Sequence, residues 1–211
     1  MKKILFALSF LILVSACKKE TEELETTDPI SKEKVIEIKT QFGDMYIWLY
    51  KATPLHRDNF LKLASEDYYD NTTFHRVISG FMAQGGDPNS KDSDPSNDGA
   101  GGPGYTVPAE IMSSINHERG ALGAARNNNP EKASNGSQFY ICHSTSGTSG
   151  LDGNYTVFGM VMQGIEVIDS VVVQPKNTSN NRPFSDIKMD VNVLEKTVDE
   201  IKNEYGYDPT L

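Results

Sequence analysis

Cysteine is nearly absent from this chain of 211 residues, occurring only as Cys17 and Cys142. Two cysteines exclude a disulfide scaffold and a four-thiolate metal centre. Histidine is scarce as well: His56, His75, His117 and His143 lie far apart, with no HExxH and no paired metal spacing. Serines are plentiful, yet no GxSxG elbow occurs. The glycine-rich stretch 99–104 lacks the Lys-Ser/Thr of a phosphate-binding loop. Metal, nucleotide and serine-hydrolase chemistry therefore have no foothold, and neither a metal nor a cofactor is expected. Positive charge is in short supply too. Lys and Arg number 20 against 29 Asp and Glu, for a formal charge of −9. With no basic cluster, nucleic acid is not an expected partner.

The first residues belong to no domain. Lys2 and Lys3 precede the apolar run Ile4–Val14, and Val14-Ser15-Ala16 forms a small-residue exit. This pattern predicts a signal peptide over 1–16, with an apolar run short for a membrane span. Val14-Ser15-Ala16-Cys17 resembles a bacterial lipobox, which implies cleavage before Cys17 and acylation of its thiol. Loss of Lys2 and Lys3 would take the formal charge from −9 to −11, so attachment to a membrane would rest on the acyl chains rather than on charge. Residues 17–33 are rich in Glu, Thr and Lys and read as a lipidated flexible tether. Cys142, within Phe139-Tyr140-Ile141-Cys142, reads as a small buried hydrophobe.

From residue 34 the pattern changes to short apolar runs divided by turn residues. Val35–Ile38 and Met45–Tyr50 flank Gln41-Phe42-Gly43-Asp44 as a hairpin. Thr53-Pro54 is a helix start, with Leu55, Asn59, Phe60, Leu63 and Ala64 on one face. Further strands are expected over 72–78, 81–85, 121–125, 137–143, 155–161 and 187–194, and a second helix over 165–172. Many short strands with two helices predict a closed β-barrel, in which closure removes exposed edges. Residues 88–104 form a long loop with Asp92, Asp94 and Asp98, whose spacing matches no calcium loop and reads as solvated. The tail 196–211 can form a short helix with Val198, Ile201 and Tyr205 on one side.

One stretch does not fit a purely structural reading. In Phe74-His75-Arg76-Val77-Ile78, alternation places Phe74, Arg76 and Ile78 on one strand face, with a guanidinium among apolar groups. Such a charge cannot be titrated away. Arg76 either snorkels to water along its stem or is a fixed cation in an apolar cleft.

The wider sequence favours the cleft. Residues 74–78 with Gly80-Phe81-Met82-Ala83-Gln84-Gly85-Gly86-Asp87 resemble the signature of the cyclophilin family of peptidyl-prolyl isomerases. The resemblance continues, in the family's order, through Gly102-Pro103-Gly104-Tyr105, Asn135-Gly136-Ser137-Gln138-Phe139-Tyr140-Ile141 and Leu151–Gly159. It spans about 34–195 and implies an isomerase domain there, built as a closed eight-stranded antiparallel β-barrel capped by two α-helices. It further implies catalytic roles for Arg76 and Gln84. Substrate-binding roles fall to Phe81, Met82, Ala125, Arg126, Gln138, Tyr140, Leu151 and Tyr155. The implied partners are proline-containing polypeptides, bound by a monomer held outside the cytoplasm by the lipid on Cys17. A proline-segment binding module or a chaperone with little turnover is the alternative. Three positions depart from the common pattern: Arg126 stands where many relatives have Asn, Tyr140 and Tyr155 replace frequent Phe and His, and Gly150 stands where some carry Trp.

Overall fold

The computed structural model describes residues 31–210, so the expected signal peptide, Cys17 and nearly all of the tether lie outside the described residues. The chain opens as the expected hairpin, β1 (Lys32–Thr40) and β2 (Gly43–Leu49), paired in register Val35↔Trp48 and Ile38↔Met45. Helix α1 (Pro54–Ser65) follows. The short strands β3 (Thr72–Thr73), β4 (Arg76–Ile78), β5 (Met82–Gly85) and β6 (Thr106–Val107) come next. Then come β7 (Ala121–Ala124), β8 (Ser134–Asn135), β9 (Phe139–Cys142) and β10 (Val157–Gln163). Helix α2 (Glu166–Val172), β11 (Lys188–Thr197) and α3 (Val198–Tyr205) complete the chain.

Nine strands form one curled antiparallel sheet in the order β3-β11-β1-β2-β10-β7-β9-β5-β4, while β6 and β8 pair separately. The fold is mainly β, as the sequence implied, but it is a curled half-barrel of nine strands whose end strands do not pair, rather than a closed barrel of eight. It carries three α-helices rather than two. The single strand expected over 72–78 is broken at Phe74-His75, and its halves β3 and β4 stand at opposite ends of the sheet order. The break also overturns the expected common face of Phe74, Arg76 and Ile78. Phe74 and Val77 enter the main core, whereas Ile78 packs outside it with Met82 and Tyr140.

Strand alternation sorts the apolar residues into two layers. Along β9, Phe139 and Ile141 join the interior core with Ile36, Ile47 and Leu122, while Tyr140 and Cys142 face the opposite side. Met82, Ala121 and Val157 share that second side and form the bed of the site. Helix α1 packs on β10 and β11, and α2 on β2, β4 and β5. Thr53 does not cap α1 with its side chain. The Glu110 carboxylate instead accepts from Leu55 N and His56 N, both at 2.9 Å, which satisfies the orphan amides of the first turn. This inverts part of the expected helix face: His56 is buried and Leu55 is half exposed. Cys142 is free and buried, and burial pushes its thiol up to about 11, as suits an inert core residue.

Candidate active site

Strand pairing assembles the site from distant segments. Arg76 on β4 faces Gln84 on β5, Gln84 faces Tyr140 on β9, and Tyr140 faces Gly123 on β7. Nine of the ten residues expected at the site line a single cavity of about 120 Å³; the tenth, Gln138, stands behind it. Met82 and Tyr140 are buried in its floor, with Phe81, Leu151 and Tyr155 partly open above them. The volume suits one ring-sized side chain, well below the roughly 300–1,000 Å³ of ordinary cofactor pockets. Gly150, next to the lining residue Leu151, is open: apart from its chain neighbours no atom lies within 4 Å of where a Cβ would stand.

Arg76 is half-buried, and burial lowers its pKa, yet a guanidinium stays protonated. Its Nη1 donates to Gln84 Oε1 at 3.2 Å, and among the described residues it makes no ion pair. Because arginine can only donate, Gln84 must present its oxygen there and its NH2 on the other side. Gln84 Nε2 accordingly donates to Gln138 Oε1 at 3.0 Å, and Gln138 Nε2 donates to the carbonyls of Gly99 and Gly101 at 3.0 and 2.8 Å. One direction of donation runs from the arginine into the long loop. That loop is tied down in turn by buried Asp87, whose carboxylate accepts from the amides of Gly99, Gly101 and Asn89. A Cβ at Gly101 would stand 2.1 Å from Asp87 Oδ1, so only glycine fits. The segment 88–104 is thus more structured than the solvated loop expected. Its Asp98 is buried against Arg182, and no group of residues suited to a metal ion occurs among the described residues.

Arg126 folds back across the mouth. Its Nε donates to Asn154 O at 3.0 Å and its guanidinium lies 4.6 Å from the centre of the Tyr155 ring. Tyr155 meets Tyr140 edge to face, with centroids 6.1 Å apart.

Two residues escaped the sequence reading. His117, buried beneath the site, sits between Tyr140 Oη (2.8 Å from Nε2) and Asp152 Oδ1 (2.7 Å from Nδ1). Asp152 also accepts from His117 N at 2.9 Å. Burial lowers the His117 pKa despite the carboxylate, while the hydrogen bonds from His117 lower that of Asp152. The neutral ring therefore donates from Nδ1 to Asp152 and accepts the Tyr140 hydroxyl at Nε2. This chain of bonds fixes the Tyr140 ring as the pocket floor and satisfies a hydroxyl whose own pKa burial has raised. Positions 117, 140 and 152 have no sequence spacing that announces the arrangement.

The buried histidines set a pH dependence. Burial lowers the pKa of His56, His75 and His117 in the folded chain. Below about pH 6.5 the unfolded chain binds protons that the folded chain refuses, so stability is full above that value and falls as pH drops beneath it. Urea denaturation at pH 7.5 and pH 5 should give a lower midpoint at the acid value. Turnover should be flat from about pH 6.5 to 9, because Arg76 keeps its charge throughout. A bell-shaped profile centred near pH 7 would require a titrating catalytic group that this geometry does not contain.

Comparison with known proteins agrees with the geometry. The family model described as cyclophilin type peptidyl-prolyl cis-trans isomerase/CLD matches residues 35–193. Peptidyl-prolyl cis-trans isomerase B of Bacillus subtilis is 40% identical over 141 residues, covering 66% of this chain and 85% of that protein. Peptidyl-prolyl cis-trans isomerase CYP71 of Arabidopsis thaliana is 38% identical over 161 residues, 74% of this chain but only 24% of that longer protein. A crystal structure of a Cryptosporidium parvum cyclophilin type peptidyl-prolyl cis-trans isomerase, determined in the presence of the dipeptide Ala-Pro, is similar with TM-score 0.67 and 31% identity. The match covers 77% of this chain and 99% of that one.

Proposed function

We propose, for a chain that belongs to the cyclophilin-type peptidyl-prolyl cis-trans isomerase family, that it catalyses X-Pro rotation in exported polypeptides while tethered to a bacterial membrane through Cys17. The isomerase activity comes with the family; the substrates, the tether and the residue roles are our reading. The observation that carries it is the Arg76–Gln84 pair at the mouth of an apolar pocket.

The X-Pro bond resists rotation by about 18–20 kcal/mol because the nitrogen lone pair is shared with the carbonyl. At the upper figure spontaneous turnover at 25 °C is only about 0.01 per second. Twisting the bond localises the lone pair on a pyramidal nitrogen, a better acceptor than the planar amide. A guanidinium N–H of Arg76 directed at that nitrogen stabilises the twisted state more than the planar one, which is differential transition-state binding without a nucleophile. Phe81, Met82, Tyr140 and Leu151 hold the proline ring away from water. Gln84 and Gln138 keep the guanidinium from swinging out, so no reorganisation accompanies the twist. A proline-limited refolding assay tests the reading. The wild type should accelerate the slow phase and Arg76→Ala should not; equal acceleration by both would leave a binding or chaperone role.

The extracytoplasmic setting rests on sequence: Lys2-Lys3, the apolar run Ile4–Val14 and Ala16-Cys17. In this reading an acyl anchor at Cys17 carries the attachment once the apolar run is cleaved away; among the described residues no helix is long and apolar enough to cross a membrane. Cys17→Ser should shift the protein from the membrane pellet to the supernatant with its specific activity unchanged. Retention of the variant in the pellet would point to an uncleaved leader or a protein partner.

A further inference from the structure

The turn between β4 and β5 carries Phe81 into the proline pocket with little packing of its own. The two strands are three and four residues long, and β4 stands at an end of the sheet order, beside β5 alone. The turn Ile78-Ser79-Gly80-Phe81 is closed by Phe81 N donating to Ile78 O at 3.0 Å. Ser79 and Gly80 are exposed, and Gly80 takes φ 77°. Apart from its chain neighbours no atom lies within 4 Å of where a Gly80 Cβ would stand. A turn with so few contacts opens readily unless something outside it holds it.

His143 holds it. This residue follows Cys142 at the end of β9, and its backbone N donates to Phe81 O at 2.9 Å, one position beyond the Met82↔Cys142 pair. Its ring takes the turn itself: Gly80 N donates to His143 Nδ1 at 2.9 Å. The two bonds bracket Gly80-Phe81, from the amide of the first residue to the carbonyl of the second. An amide can only donate, so Nδ1 is the bare ring nitrogen and Nε2 carries the proton. Nε2 faces Asp169 Oδ1 of α2 at 3.1 Å, which takes that proton as an acceptor. Arg119 completes the frame, with Nη2 donating to both Asp169 oxygens at 2.7 and 2.8 Å and Nη1 to His143 O at 2.6 Å. None of His143, Asp169 and Arg119 lines the proline pocket.

We propose that His143 is a positioning residue for the isomerisation: its Nδ1, left free to accept because Asp169 engages Nε2, orients Phe81 as a wall of the proline pocket. The proposal rests on the isomerase reading and adds to it a residue that does not touch the substrate. Arg76 is held by Gln84, and Gln84 by Gln138, with no bond to the turn. Loosening Phe81 therefore weakens the grip on the proline ring and leaves the donor for the twisting bond in place. The signature of such a loss is a raised KM with kcat nearly unchanged.

Two isosteres separate the ring nitrogens. Asparagine places a carboxamide oxygen near the position of Nδ1, and glutamine a carboxamide NH2 near that of Nε2. In a coupled assay of the full chain with an Ala-Pro tetrapeptide, His143→Ala and His143→Gln should each raise KM about fivefold, the order of one lost hydrogen bond. His143→Asn should recover most of that loss. All three should melt within roughly 2–4 °C of the wild type, because Arg119 still holds Asp169 and the carbonyl of residue 143. Amide hydrogen exchange at Gly80 should quicken in the Ala and Gln variants and stay slow in the Asn variant. An alanine variant with wild-type KM overturns the proposal. So do equal KM values for the Asn and Gln variants, or KM values that follow the melting temperatures instead of Gly80 exchange. A wild type inactive on the tetrapeptide would instead count against the isomerase reading, and Gly80 exchange would still decide whether His143 holds the turn, so the two failures are distinct.

Discussion

Replacing Arg76 with lysine should lower kcat/KM by about a hundredfold, the order seen when one preorganised donor is removed from a transition-state site, and leave the melting temperature nearly unchanged. Lysine keeps the charge but loses the planar fork. In the native site Nη1 is committed to Gln84 at 3.2 Å, and the rest of the fork is left for the substrate nitrogen. An ammonium is a compact point charge that takes water or Gln84 as its partner and does not hold a fixed donor in the pocket mouth. The fold should survive, since Arg76 is only half-buried and makes no ion pair among the described residues. A coupled peptide assay and a thermal melt on the same preparation decide the matter. A lysine variant with near wild-type turnover would mean that charge alone suffices, and the geometric account would fall.

The second large effect concerns stability and lies far from the pocket. Ile201→Ala should destabilise the protein by about 3 kcal/mol, within the usual range for emptying a buried aliphatic site. That corresponds to a fall in Tm of roughly 6–12 °C for a domain of this size. Ile201 is fully buried with Val35 and Trp48, on the outer side of the β1–β2 hairpin. Helix α3 is well fastened there. Thr197 and Glu200 form a reciprocal capping box, Gly206 closes the C-terminus in a left-handed conformation with φ 64°, and Tyr205 stacks on Tyr46 with centroids 4.9 Å apart. The helix lies beyond the residues matched by the family model, which end at 193. It acts as a lid over a sheet face that would otherwise expose Trp48. Turnover at 25 °C should be unaffected, because the site is built on β4, β5, β7 and β9. An unchanged Tm would mean that the helix only rests on the sheet; a parallel loss of kcat/KM would mean that it reaches the site.

What the sequence carried was local. The β1–β2 hairpin was readable from alternating apolar residues around Gly43-Asp44, and α1 from Thr53-Pro54. The side of α3 that is buried was readable from the spacing of Val198, Ile201 and Tyr205. The pocket walls were readable because residues 74–87 and 135–159 resemble a family in contiguous blocks. Resemblance of that kind transfers residue by residue without any knowledge of packing.

Tertiary structure decided everything that depends on two faces or on distant partners. The strands β5, β7, β9 and β10 are largely buried on both faces, so Phe139-Tyr140-Ile141-Cys142 reads as one apolar run. Only the curled sheet assigns Phe139 and Ile141 to the core and Tyr140 to the pocket. The break at Phe74-His75 likewise had no local signal. It arises because Thr72-Thr73 pairs with β11 while Arg76–Ile78 pairs with β5, two strands at opposite ends of the sheet order. The bonds that fix Tyr140 through His117 and Asp152, and those that run from Arg76 through Gln84 and Gln138 into the long loop, join residues up to 54 positions apart. Hydrogen bonds between side chains depend on spatial approach, which sequence spacing encodes only within a helix turn or a hairpin. The sequence therefore determined which residues were available to the chemistry, and the curling of the sheet determined which of them meet.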